Sequence, residues 1–330
     1  MDTFSIEGLE VPPGQERRGS VPVFGLVDGS TMALPLRVIN GATPGPRLYL
    51  GAAIHGDEVN GIAILARALA QIDPARLQGS IVCIPVQHPL ALLADHRLPL
   101  AQFLKSPLDQ VPADAWTCFP GDAGGNMAQI LAATLFRIIT QCNAAVDVHT
   151  PTRGGRYVPI AIVPPPSLPG FAAADAMAYA AGTGWVMRGQ EGMYVAPGIL
   201  CVEATRAGVP CFTFEIGEGG RLEAESVAVG ARCIRNVLRH LGMLADPPEW
   251  PEHTHVMHSF LGLRARHGGL LTTEMPLGAA VRRGDVLCRI TGLFGDVLET
   301  VTAPQDGFFV RATTMGSVSQ GERVATLGLA

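Results

Sequence analysis

A chain of 330 residues with 24 Lys and Arg against 29 Asp and Glu carries a formal net charge of −5, which offers no basic footprint for nucleic acid or an acidic membrane surface. No apolar run reaches membrane-spanning length, and the N-terminal "MDTFSIEGLEVPPGQERRGS" lacks the basic start and apolar stretch of a secretory leader, so the expectation is a cytoplasmic protein with small-molecule partners, its homo-oligomerisation open. Seven scattered cysteines without a C-x-x-C pair read as free, buried thiols and not as a disulfide framework.

Residues 20–40 read as short strands turned at Asp28-Gly29, and "GPRLYLGAAI" at 45–54 is a continuous apolar run of the kind that forms a buried parallel strand. Residues 59–72 repeat apolar positions at helical spacing, and "GSIVCIPV" at 79–86 is the next apolar strand. Strand, helix and strand in this order make a right-handed crossover unit. A helix over about 125–142 leads into the strand "AAVDVHT", and the strand "PCFTFEIG" precedes the helix "AESVAVGARCIRNVLRHLGML". These elements predict an α/β fold over 1–246, with a mixed, mostly parallel sheet flanked by helices. The proline-rich 247–253 reads as a linker, and 254–330, with short alternating strands and glycine turns, as a small C-terminal all-β domain.

In open α/β sheets the ligand site lies beyond the carboxyl ends of the strands, where loops and helix N-termini converge. Three polar signals fall at such ends: His55 and Glu58 after the first parallel strand, His149 closing "AAVDVHT", and Glu215 closing "PCFTFE". Zinc takes neutral imidazole and carboxylate, and a catalytic site leaves one position open for water. A further carboxylate outside the ligand set can then move the water's proton. Each signal has an ordinary alternative: H-x-x-E as a helix cap, His149 as a satisfied core histidine, Glu215 as a paired buried carboxylate.

"GAAIHGDEVNGI", "FPGDAGGN", "DVHT" and "FTFEIGEGG", in this order, resemble the succinylglutamate desuccinylase and aspartoacylase family, a branch of the zinc carboxypeptidase-like hydrolases. The resemblance covers most of the chain, including the C-terminal β domain. It implies one zinc ion held by His55, Glu58 and His149, with Glu215 as general base in the hydrolysis of an N-acyl bond. It also implies that Arg97, in "LADHRLPL", stabilises the oxyanion. Asp147, on the same face of its strand as His149, is a candidate to orient that ligand, although an i, i+2 neighbour need not reach.

The departures from the family pattern bear on the substrate. The family carries Asp-Leu-Asn-Arg before "FPG", its Asn and Arg holding a substrate carboxylate; here the stretch is Asp114-Ala115-Trp116-Thr117-Cys118-Phe119-Pro120-Gly121, with Trp116 and Thr117 in the Asn and Arg places. Threonine lacks the charge and fork of a guanidinium clamp, whereas an indole supplies an apolar or cation-facing wall. The family's Asn-Pro becomes His88-Pro89, which makes His88 a candidate contact. Arg153, Arg156 and Arg206 are candidate replacement anchors, Arg206 being equally explained by its helix end. The resemblance therefore implies a metal-dependent deacylase of altered substrate preference. A carboxypeptidase-type peptidase and a non-catalytic small-molecule binder are the alternatives. "VRRGDVLCRI" and "APQDGFFVRA" resemble halves of a biotinyl or lipoyl carrier, but no lysine follows Lys105, so these strands read as a structural cap.

Overall fold

In the computed structural model, residues 2–99 and 114–330 are described. Strands β1 (Phe4–Ile6) and β2 (Leu9–Val11) pair with each other. β3 (Gln15–Gly25) and β4 (Thr31–Asn40) form an antiparallel hairpin whose turn is tied by Asp28 accepting from the Ser30 amide. These strands run longer than expected because alternation continues: β4 buries Met32, Leu34, Leu36 and Val38 on one face.

β5 (Thr43–Ala52), α1 (Val59–Leu69) and β6 (Gln78–Ile84) form the crossover, with β5 and β6 parallel. After α2 (Pro89–Leu93) comes α3 (Met127–Ile139), opened by a capping box in which Asn126 and Gln129 each accept from the other's backbone amide. It leads into β7 (Ala144–His149). β8 (Gly155–Ile162), α4 (Phe171–Ala180), β9 (Trp185–Met187), α5 (Leu200–Arg206), β10 (Cys211–Glu218) and α6 (Ala224–His240) follow. Beyond α6 the described elements are all strands: β11 (His255–Met257), β12 (Ser259–Arg264), β13 (Gly269–Thr273), β14 (Ala280–Val281), β15 (Val286–Thr291), β16 (Val297–Thr302), β17 (Gly307–Thr313), β18 (Ser317–Val318) and β19 (Arg323–Leu329).

The large sheet runs β12-β19-β17-β8-β10-β7-β5-β6-β4-β3. Its centre, β10-β7-β5-β6, is parallel, and antiparallel strands extend it on both sides. It passes without a break into the C-terminal strands, because β17 pairs with β8 and β11 with β9. The strands β16-β15-β13-β18 make a separate small sheet.

Strand alternation divides the core. Leu48, Leu50, Val146, Val148, Phe212 and Phe214 pack on the side of α1, α4 and α6, whereas Tyr49, Ala145 and Cys211 face α3 and α5. Each such fully buried large side chain contributes about 1.5–3 kcal/mol relative to exposure. The same alternation turns Asp147, His149, Thr213 and Glu215 toward the second side, at the carboxyl ends of the parallel strands. All seven cysteines are free, and all but Cys118 are buried. Among the described residues no helix is long and apolar enough to cross a membrane.

Candidate metal centre

Past β5 the chain reverses tightly toward α1, with Ala53 at a φ of 51° and Gly56 pressed against α2. A Cβ on Gly56 would lie 1.8 Å from the Ala91 carbonyl oxygen, so only glycine allows the turn that presents His55 and Glu58 together. Glu58 occupies the N-cap position of α1, yet its side chain makes no cap hydrogen bond. Its Oε1 lies 2.7 Å from His55 Nδ1, and its Oε2 lies 2.9 Å from His149 Nδ1 and accepts from the Thr150 amide at 3.1 Å.

The far nitrogens of both rings meet carboxylates. His149 Nε2 is 2.8 Å from Asp147 Oδ2, which also accepts from the Trp116 indole at 3.1 Å. An i, i+2 neighbour therefore does reach. His55 Nε2 is 3.1 Å from Asp114 Oδ1. Each ring thus has a carboxylate oxygen at both nitrogens, with each Nδ1 facing the shared Glu58 and each Nε2 an outer carboxylate. One donor atom from each of His55, Glu58 and His149 lies within 4.8 Å of the others. Two imidazoles and a carboxylate, with both rings oriented by outer carboxylates, are a donor set that fits zinc.

The electrostatics agree with that fit. Burial alone would lower the pKa of His149, but Asp147 and Glu58 outweigh it and hold the ring well above its ordinary value. The shift at His55 has the same sign, burial being outweighed by Glu58 and Asp114. Burial would raise Glu58 and Asp114; their histidine partners, joined at Asp114 by Arg97, hold both well below the usual carboxylate range. A field that draws a proton onto two buried rings also favours a cation between them.

Glu215 sits beside this centre, in register with His149 on the neighbouring strand. β10 does not end there but runs on to Glu218, with a register irregularity between Glu215 and Gly217. The Tyr194 hydroxyl donates to Glu215 Oε1 at 2.7 Å, while the buried Oε2 has no hydrogen-bond partner among the described residues. Burial, followed by the charge of Glu58, raises the Glu215 pKa.

Arg97 donates to Asp114 Oδ2 through Nη2 at 2.7 Å and Nε at 3.0 Å, and its Nη1 stands 4.0 Å from Glu58 Oε1. His88 caps α2, buried, with Nδ1 unpartnered among the described residues; burial and then the positive charge at His55 push its pKa down to about 4. Trp116 is buried, its ring centroid 5.1 Å from that of His149 and 5.8 Å from that of His55. It forms a wall of the centre whose polar edge is taken by Asp147.

The other anchor candidates lie apart. Thr117 is exposed and its hydroxyl donates to the Asp114 carbonyl. Arg153 pairs with Asp95 at 2.6 Å, Arg156 with Glu223 and more loosely with Glu218, and Arg206 with Glu203 at 3.0 Å. Two residues of the site carried no assignment from sequence. Asp114 is the retained first residue of the motif that departs from the family pattern at Trp116 and Thr117. Tyr194 sits in a short 3₁₀ turn, Met193–Val195, with no motif around it.

The succinylglutamate desuccinylase/aspartoacylase catalytic domain model matches residues 44–241. An N-alpha-acetyl-L-2,4-diaminobutyric acid deacetylase of Halomonas elongata is 25% identical over 300 residues, covering 86% of this chain and 82% of the relative. Among solved structures, a succinylglutamate desuccinylase from Silicibacter sp. TM1040 superposes with a TM-score of 0.82 at 23% identity, covering 97% of both chains. The product-bound ectoine utilization protein EutE (DoeB) of Ruegeria pomeroyi gives 0.81 at 24%, covering 97% of this chain and 98% of its own. With the catalytic domain model matching more than half of the sequence, the chain belongs to the succinylglutamate desuccinylase/aspartoacylase family.

Proposed function

We propose that the protein is a zinc-dependent deacylase that hydrolyses the amide bond of a small N-acylated amino acid or amine in the cytoplasm. His55, Glu58 and His149 hold the ion. The observation that carries this reading is the convergence of both Nδ1 atoms on Glu58 while both Nε2 atoms are fixed by carboxylates. Membership in a family whose named relatives are deacylating hydrolases supports it. When bound, zinc supplies a Lewis acid that polarises an acyl carbonyl and lowers the pKa of water to about 7.

The chain's own residues divide the remaining work. Glu215 receives the attacking water's proton on Oε2, its unpartnered oxygen, and delivers it to the departing amine as the carbon–nitrogen bond breaks. Tyr194 fixes the carboxylate through Oε1, so the proton-accepting oxygen keeps one orientation. Arg97, steadied by Asp114, brings a guanidinium to the developing oxyanion. His88, uncharged at neutral pH, adds no cation to compete with the metal.

The test pairs elemental analysis with an amine-release screen over N-acetyl diamino acids, other N-acyl amino acids, N-acyl diamines and short peptides. About one zinc per chain and release from an N-acyl amino acid or amine are expected. Cleavage of peptides alone would favour the peptidase alternative. Protein that neither holds metal nor releases amine overturns the reading.

A further inference from the structure

Register fixes which arginines share a face with Glu215. In β17, Arg311 opposes Tyr157 and Ala312 opposes Arg156; in β10, Gly217 opposes Tyr157 and Glu218 opposes Arg156. Opposed residues lie on one side of a sheet. Arg311 and Tyr157 therefore share a side, and Arg156 takes the other. Glu215 opposes Ile160, and Ile160 packs in one cluster with Tyr157, which puts Glu215 on the side of Arg311; the extra residue at the irregularity falls in β8, where three steps separate Tyr157 from Ile160. Arg311 thus stands two strands and two residues from Glu215, about 10 Å across the sheet and about 7 Å along it.

Two cavities share Arg323 in their linings. One, of 470 Å³, is lined by Tyr157, Tyr194, Phe260 and Arg323 and so backs onto the residue that holds Glu215. The other, of 690 Å³, is lined by Arg153, Arg264, Arg311 and Arg323, with Glu322. Arg153 is engaged by Asp95, Arg264 donates to the Gly321 carbonyl at 2.7 Å, and Glu322 accepts from the Ser319 amide. Among the described residues neither Arg311 nor Arg323 has a carboxylate within ion-pair distance. Arg311 Nη1 is buried without a hydrogen-bond partner there, and burial lowers the pKa of this arginine. A guanidinium nitrogen buried without a partner is costly. The position is nonetheless built: a Cβ on Gly155 would lie 2.3 Å from Arg311 Nη2 and 2.9 Å from Cζ, so glycine at the start of β8 makes the space in which the guanidinium lies.

We propose that Arg311, with Arg323 beside it, binds the carboxylate of the acylated substrate from the C-terminal strands, taking over the anchoring that Thr117 cannot supply. The proposal rests on the deacylase reading and adds the residues of this chain that would favour an ionised substrate carboxylate over a neutral N-acyl amine. It also gives the C-terminal strands a part in recognition.

The experiment compares kcat/KM of the zinc-loaded protein for Nα-acetyl-L-2,4-diaminobutyrate and for its α-carboxamide, in the unaltered protein and in Arg311→Gln, Arg311→Lys and Arg323→Gln. The unaltered protein favours the acid at least tenfold. Arg311→Gln cuts that preference about tenfold or more, chiefly through KM, and Arg311→Lys recovers part of it, since the charge returns without the fork. Arg323→Gln, on an exposed side chain, moves the ratio the same way by less, and keeps the test open should Arg311→Gln fail to fold. An unchanged ratio in folded, metal-loaded variants overturns the proposal. Should the unaltered protein turn over neither compound, the deacylase reading fails separately. Calorimetry with the same acid and amide then decides: acid-selective binding lost in Arg311→Gln upholds the anchor, and equal or absent binding of both overturns it.

Discussion

Two charged regions lie on the same side of one sheet and are built on opposite plans. Around the metal centre, Glu58, Asp114 and Asp147 are matched by His55, His149, Arg97 and the Trp116 indole, each of these carboxylates holding at least two partners inside the protein. At the junction with the C-terminal strands, Arg311 and Arg323 face a cavity with no carboxylate partner among the described residues. A satisfied buried network is rigid and holds its members in one geometry. An unsatisfied cationic cleft is stable only while water or a ligand meets its charge. On the proposed reading, the chemistry sits at the parallel strand ends and the carboxylate anchor in the C-terminal strands.

The largest expected effect breaks the first region outright. His149→Ala removes a ligand and leaves Asp147 and Glu58 without the ring they share, so metal content falls from about one per chain to about zero and amine release falls to background. Elemental analysis of the purified variant checks it; retention of full metal would move His149 out of the ligand set.

A narrower cut separates proton transfer from metal binding. Glu215→Gln keeps the shape and the Tyr194 contact but cannot take a proton, so turnover drops roughly 10²–10⁴-fold while metal content stays at the level of the unaltered protein. Since burial and the charge of Glu58 raise the Glu215 pKa, the ionised base accumulates only above the ordinary carboxylate range. The acid limb of kcat/KM is therefore expected above about pH 4.5, and a limb at or below that value would mean that another group accepts the proton.

Much of the first region could be read from the chain, because His55, Glu58 and His149 sit where an apolar run stops and a helical or loop pattern starts. "HGDE" after one strand and "DVH" at the end of another are local signals, and the parallel sheet brings strand ends together. Register then joined His149 to Glu215, which no local pattern encodes. The Arg311 cleft was not legible: it depends on β17 lying against β8, a pairing of residues more than 150 positions apart, and "FFVRA" carries no sign of its partner. Trp116 was legible in place but not in use. Its position beside the site followed from the altered motif, whereas the bond from its indole to Asp147 required the folded arrangement.

That bond offers a test of how far the rigid region depends on its outer contacts. Trp116→Phe keeps an aromatic wall against His55 and His149 but deletes the donor to Asp147 Oδ2. With one of its two partners gone, Asp147 orients the His149 ring less firmly, and metal affinity falls by about 10–100-fold, the range for outer partners of a ligand. Competition with a chelator of known affinity measures it. Unchanged affinity would make the indole a packing element only.

The smallest expected effect concerns stability and sharpens the contrast from the other side, since Glu215, unlike Glu58, Asp114 and Asp147, has no ion pair among the described residues. Its Oε2 is buried and unpartnered among the described residues, and its pKa is raised in the folded chain. A group of that sign stabilises the fold below its unfolded pKa, where it is protonated in both states, relative to higher pH. The advantage is lost as pH rises through the folded value and a charge must be held in the interior. Glu215→Gln removes the charge and keeps the volume. At pH 7, with chelator present so that metal binding does not enter, the variant is therefore expected to melt higher than the unaltered protein, by on the order of 2 °C for a chain of this length. The difference should shrink toward zero as pH falls below about 4.5, where the carboxyl is neutral in both states. Differential scanning calorimetry across that interval reads both the sign and the slope. A variant that melts lower at pH 7 would mean that the ionised Glu215 is held by contacts stronger than the single Tyr194 hydroxyl, and the distinction between a satisfied centre and a strained base would then fall.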